Sequence, residues 1–125
     1  DFAHGFTFWR QLGKTAGGDF ISHDALVAIH WTHRVFAVVV LSYLAWLGVR
    51  ARRINGIGRV ATVLLVVLAV QLATGLSNIV LGWPLLAAVA HNGGAAVLLL
   101  LMVRLRYLIG LAQVRAPISA AVAAV

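Results

Sequence analysis

Three apolar stretches, each about as long as a bilayer is thick when wound into a helix, constrain this chain more than anything else in it. They run over roughly 25–50, 57–82 and 84–107. At a rise of ~1.5 Å per residue, the first of them spans ~39 Å, enough to cross a hydrocarbon core of ~30 Å with tilt. Composition agrees: 62% of residues are hydrophobic and 10% charged, with no Glu, whereas soluble domains carry about 25% charged residues. The chain therefore reads as an all-α membrane protein with three transmembrane helices and an outer amphipathic segment. At 125 residues it has length for one small bundle. No internal repeat is visible.

Residues 1–24 form an external or interfacial segment. Phe2, Phe6 and Trp9 recur at i, i+4, i+7, the spacing of a short amphipathic helix lying at the membrane surface. Gly17-Gly18-Asp19 reads as a loop, and Asp24 as the N-cap of the first span. Trp31 and Trp46 suit the two interfacial belts of that span. Arg50, Arg52 and Arg53 end it, and Asn55-Gly56 supplies the turn. The second span places Gln71, Thr74 and Asn78 on one face, with Ser77 beside them. Polar groups at that depth need partners, so the face points into protein, and Ala73 and Gly75 let a neighbour approach closely. Trp83-Pro84 closes the second span, with Pro84 at the first position of the third. Residues 109–125 read as a cytoplasmic-side tail, whose apolar end, the ten residues 116–125, is too short to cross the membrane.

The net charge of +7 comes from Arg residues at the ends of apolar runs. There it sets membrane orientation; a basic groove interleaved with aromatics, as a nucleic-acid surface requires, is absent. Arg50, Arg52, Arg53 and Arg59 share a side with Arg104, Arg106 and Arg115. That side reads as cytoplasmic, so the N-terminal segment faces outward. With no Cys in the chain, it can supply no disulfide, iron–sulfur or thiolate heme ligand. The chain begins with Asp and shows no signal-peptide pattern, which suggests a fragment or a processed product.

Two histidines carry the chemistry. His33 follows Ala25 by eight residues, ~12 Å of helix, and His91 follows Pro84 by seven, ~10 Å. The first and third spans run in the same direction, so the two rings are expected at matched depth. An intramembrane histidine marks a functional site by default. A facing pair suits a heme iron held by two imidazoles, a ligation that leaves no open position and favours electron transfer. Zinc, which takes four ligands, fits less well. Gly93-Gly94 would leave space for a macrocycle edge. His30, three residues before His33 and on roughly its face, and Arg34, which can snorkel outward, are the further cofactor-binding candidates, as propionate contacts. The competing reading makes each histidine a helix–helix hydrogen-bonding residue. For Gln71, Thr74 and Asn78, packing competes with contact to the cofactor edge. His4 and His23 read as solvated. No catalytic residue is assigned within the chain.

These residues resemble a known family. AIHWTHRVFA and QLATGLSNIVLGWPLLAAVAHNGGAAVLLL are similar to the C-terminal half of heme A synthases, over about residues 1–108. The His-Arg motif falls on His33-Arg34, the second histidine on His91, and the TG…P…H spacing on Thr74-Gly75, Pro84 and His91. DFAHGFTFWRQLG is similar to the external loop of proteobacterial members. The resemblance implies an eight-helix protein in two four-helix halves, of which this chain supplies three helices of the second half-bundle. It implies that this half binds heme b through His33 and His91. It also implies that the full protein is an oxidoreductase turning the ring methyl of heme O into the formyl of heme A for cytochrome oxidase. Substrate heme and catalytic carboxylate are then expected in the N-terminal half, which nothing here matches, so the fragment alone is expected to be inactive. The bilayer, the N-terminal half, heme O synthase and cytochrome oxidase assembly proteins are the implied partners. A stand-alone bis-histidine cytochrome b module and a heme-free membrane assembly protein are the alternatives.

Overall fold

All three apolar stretches are helical in a computed structural model of the chain, which describes residues 1–7, 9–11, 13–82 and 84–123, with 115–123 described as backbone. The elements are α1 (Phe2–Gly5), α2 (His23–Ala51), α3 (Gly58–Val80) and α4 (Leu85–Ala123). Among the described residues there is no strand, only an isolated bridge between Lys14 and Phe20. All of α2, all of α3 and the Leu85–Val114 part of α4 are long and apolar enough to cross a membrane. The chain divides into two compact units, residues 1–42 and 43–125.

In the first unit the amphipathic helix expected at the N-terminus is a single turn. The Asp1 carboxylate caps α1 by accepting from the His4 amide at 3.1 Å. Arg10 then folds back and donates to the carbonyls of His4 at 3.2 Å and Gly5 at 2.7 Å. Those carbonyls would otherwise need a further helical turn or another donor. Of the expected aromatic stripe, Phe2 and Phe6 stack with centroids 6.4 Å apart, while Trp9 lies outside the helix and is 92% exposed. Gly5 is buried against α2, where an added Cβ would stand 3.1 Å from the Ala25 carbonyl oxygen. The Gly17-Gly18 loop is as expected, with Gly18 at φ +91° and the Thr15 amide donating to the Asp19 carbonyl at 2.7 Å.

The cap of α2 is Ser22 rather than Asp24. The Ser22 hydroxyl accepts from the Ala25 amide at 3.3 Å, and its carbonyl accepts the first helical bond, from Leu26. Asp24 sits in the first turn instead, where a carboxylate still opposes the positive end of the helix dipole.

In the second unit Arg50 lies over the Trp46 ring, 5.6 Å from its centroid, a cation–π contact suited to the end of a membrane span. The turn to α3 uses Gly56 at φ +81°, the left-handed conformation that glycine adopts without steric cost. Leu81 and Gly82 end α3: the Leu81 amide donates to Ser77, and Gly82 takes φ +67°, the common glycine stop one residue past a helix. The role expected of Trp83 lies outside the described residues. The Pro84 carbonyl accepts from Ala88 at 3.1 Å, so Pro84 is the cap residue before α4 rather than its first member. The backbone of α4 continues past the end expected near 107, as far as Ala123. Between 108 and 116 no residue breaks a helix more strongly than Gly110.

Packing in this unit follows a heptad. Ile57, Leu64, Gln71 and Asn78 recur every seven residues and are all buried. Ala61 and Leu68, buried, and Gly75, half-buried, interleave with them. This alternation of four and three is the seam of helices packed side by side, and α3 packs against α4. On α4 the matching positions are His91, Leu98 and Leu105, again seven apart.

Candidate functional site

The heptad carries polar residues on to the packed seam of α3, and the α4 residue that meets them is His91. Its ring Nδ1 stands 3.2 Å from the Gln71 carbonyl oxygen and 3.2 Å from Thr74 Oγ1. A carbonyl can only accept, so a hydrogen bond between the two requires the hydrogen on Nδ1. In a neutral imidazole the lone pair is then on Nε2. Thr74 Oγ1 also lies 3.0 Å from the Val70 carbonyl and 3.1 Å from that of Gln71. The hydroxyl hydrogen can serve one of these, and its oxygen accepts from the histidine. In the other direction the Gln71 side chain donates from Nε2 to the His91 carbonyl at 2.8 Å.

Gly75 makes this arrangement possible. A Cβ there would lie 3.0 Å from His91 Cε1 and 3.4 Å from Nδ1, so the ring occupies space that another residue would fill. Gly94 does the same for Gln71, since a Cβ at Gly94 would collide with Gln71 Oε1. The space expected at Gly94 for a macrocycle edge is thus taken by α3. Gly93 points elsewhere on the helix and meets nothing within 4 Å. Gln71 and Asn78 are 8% and 4% exposed. Their oxygens Oε1 and Oδ1 are buried without a hydrogen-bond partner among the described residues, an arrangement costly enough in an apolar interior to call for explanation.

The remaining site residues lie on α2 in the first unit. His33 and Arg34 are exposed and His30 is half-buried. Thr32, between them, returns its hydroxyl to the Ala28 carbonyl at 2.9 Å. Trp31 meets Phe2 edge-on, centroids 6.3 Å apart. His4 pairs with Asp1, Nδ1 to Oδ2 at 2.7 Å, in the N-terminal segment.

Among the described residues no three His, Cys, Asp or Glu side chains gather, so a four-ligand protein site is not assembled there. A heme asks the protein only for axial imidazoles. With the hydrogen on Nδ1, His91 would meet the usual condition for such a ligand, a second ring nitrogen bonded to a backbone carbonyl that orients the ring. The helix–helix hydrogen bond, expected as the rival explanation for His91, is present as well, and it uses the nitrogen that metal ligation through Nε2 does not need.

The sequence pointed to His91 and to the face of Gln71, Thr74 and Asn78, but not to their direct contact. The heptad would have given it, because Gln71, Asn78 and His91 fall in register with buried leucines.

The family model described as COX15-CtaA, cytochrome oxidase assembly protein, matches residues 1–103. A heme A synthase from Shewanella oneidensis is 37% identical over 87 residues, covering 70% of this chain and 26% of that protein. A heme A synthase from Nitrosospira multiformis is 38% identical over 78 residues, covering 60% of this chain and 22% of that protein. The chain thus spans about a quarter of the length of the curated relatives it matches. No solved structure matches it.

Proposed function

The chain belongs to the COX15-CtaA family of cytochrome oxidase assembly proteins, and from that premise we propose that it is the C-terminal, heme b-binding part of a heme A synthase. His33 and His91 are the axial ligands in this reading. His30 and Arg34, near His33 on α2, are the propionate contacts. Residues 25–108 form the heme-binding half-bundle, residues 1–24 its periplasmic loop and 109–125 its cytoplasmic tail. The rest of the longer protein carries the oxidation of the heme O methyl to the formyl of heme A.

The observation that carries this reading is the bond from His91 Nδ1 to the Gln71 carbonyl. It places the ring's lone pair on Nε2 and holds the imidazole against rotation. A heme held by two imidazoles exchanges single electrons and has no open position for oxygen. The protein's own contribution is to orient: Gln71 and Thr74 of α3 hold the His91 ring.

The test is a pyridine hemochrome assay with a low-temperature absorption spectrum, on the full chain purified from a heme-replete host and again with the upstream region restored. A low-spin b-type signal near one heme per chain supports the reading. Absence of heme in both preparations overturns it and leaves His91 as a structural helix–helix contact, the role its bonds to Gln71 and Thr74 would then fill.

A further inference from the structure

We propose that Thr74 and the main chain of Gln71, with Gly75 keeping the space open, are the positioning groups of His91. They select its Nδ1–H tautomer and its ring rotation, and so determine which nitrogen the ring presents and how strongly it donates. The consequence for a bound heme rests on the reading of His91 as an axial ligand; the selection of tautomer does not.

Contacts from Gln71, Thr74 and Gly75 converge on the ring and its backbone. Nδ1 has two acceptors at 3.2 Å, the Gln71 carbonyl and Thr74 Oγ1. Each is at the long end of the normal range, but together they define a direction. The carbonyl decides which nitrogen is protonated, because it has no hydrogen to give. The Thr74 hydroxyl, with two backbone carbonyls within 3.1 Å, sends its hydrogen there and turns a lone pair to Nδ1. Gln71 Nε2 holds the His91 carbonyl at 2.8 Å, which sets the height of α4 against α3. Gly75 lets the ring approach to where a Cβ would stand 3.0 Å from Cε1. Simple packing would be served by an apolar residue at His91, in line with Leu98 and Leu105. The convergence instead specifies one nitrogen of one ring.

Donation from Nδ1 to a carbonyl increases electron density on Nε2. A more basic ligand favours the oxidised metal, so this bond lowers the reduction potential of an iron bound there. Weakening the bond raises it.

Two measurements test the proposal. The first is 15N NMR of histidine-labelled full chain, without heme, in lipid nanodiscs with the rings neutral, His91 being assigned by its loss in His91→Ala. A protonated Nδ1 and an unprotonated Nε2 are expected; the reverse tautomer overturns the proposal. The second is a redox titration with electron paramagnetic resonance of the heme-loaded chain. Thr74→Val, which keeps shape and removes the hydroxyl, shifts the potential upward. Gly75→Ala, which moves the ring from both acceptors, shifts it further, and Thr74→Ser restores the wild-type value. Identical potentials and g-values in the wild type, Thr74→Val and Gly75→Ala overturn the proposed tuning. If the wild type takes up no heme, alone or with the upstream region restored, the heme reading fails, and the NMR tautomer alone decides the proposal.

Discussion

Gln71 and His91 hold each other's backbone. The Gln71 side chain donates to the His91 carbonyl at 2.8 Å, and Nδ1 of the His91 ring stands 3.2 Å from the Gln71 carbonyl oxygen. Each carbonyl has a second lone pair, so each can keep its own helical bond while accepting the other residue's side chain. Such a pair fixes the register of two helices in a way that leucines alone do not, because slippage by one turn would strand both donors in an apolar surrounding.

Gly94→Ala is expected to break half of that pair. The added Cβ collides with Gln71 Oε1, and the side chain must turn away from the His91 carbonyl. The lost hydrogen bond costs about 1 kcal/mol, which is cancelled by the gain of about 1 kcal/mol for replacing glycine within a helix. In a Gln71→Ala background the collision is gone and only the gain remains, so the same substitution becomes stabilising there. A double-mutant cycle read by reversible unfolding in mixed micelles should give a coupling of roughly 1–2 kcal/mol. Additive effects would show that Gln71 does not pack on Gly94.

Gly48 marks a second close approach, between α2 and α3 within the second unit. A Cβ there would stand 2.8 Å from Leu65 Cδ2 and 2.9 Å from Cγ. The Cγ atom moves only if χ1 of Leu65 changes rotamer, unlike the end of a side chain. Gly48→Ala is therefore expected to force the helices apart at a cost of about 1–3 kcal/mol, the usual range for overpacking. Leu65→Ala in the same chain should recover most of it. The check is the unfolding midpoint of the single and double variants, and a Gly48→Ala chain as stable as the wild type would contradict the close contact.

Much of this was legible in the sequence and some was not, for reasons that differ by residue. The three spans were readable because apolar length is a property of composition, independent of what each helix packs against. The α3 face of Gln71, Thr74 and Asn78 was readable because polar groups within a span must point at protein. The cap at Ser22 was missed because Ser22 and Asp24 are both good caps, and only the direction of approach of the chain decides between them. The single-turn α1 was missed because Arg10 terminates it from five residues away, a tertiary event that periodicity does not record. The use of Gly94 was misread because a glycine beside a histidine shows that something comes close, not what. Here it is the Gln71 side chain.

His33→Ala and His91→Ala should each remove the low-spin bis-histidine signal of the heme-loaded chain. His4→Ala should leave it unchanged, since His4 is engaged with Asp1 in the N-terminal segment. Loss of one axial imidazole opens a position on the iron and converts the site to high spin, or releases the heme. Optical and paramagnetic resonance spectra at matched protein concentration report either outcome. An unaltered low-spin spectrum in His33→Ala would remove His33 from the ligand set.

Orientation can be read directly because the chain has no native cysteine, so any introduced thiol is the only one to label. Ala16 is exposed in the outer loop and Asn55 in the turn between α2 and α3. Arg50, Arg52, Arg53 and Arg59 cluster around that turn, and short loops rich in Lys and Arg stay on the cytoplasmic side. In intact spheroplasts a membrane-impermeant maleimide should therefore modify Ala16→Cys and spare Asn55→Cys. Disruption of the membrane should make both react. The Arg10 and Lys14 side chains oppose this orientation, but Asp1, Asp19 and Asp24 accompany them, and the Arg-rich turn carries no acidic residue. Labelling of Asn55→Cys before lysis, with Ala16→Cys protected, would invert the topology and place the His91 end of α4 toward the cytoplasm.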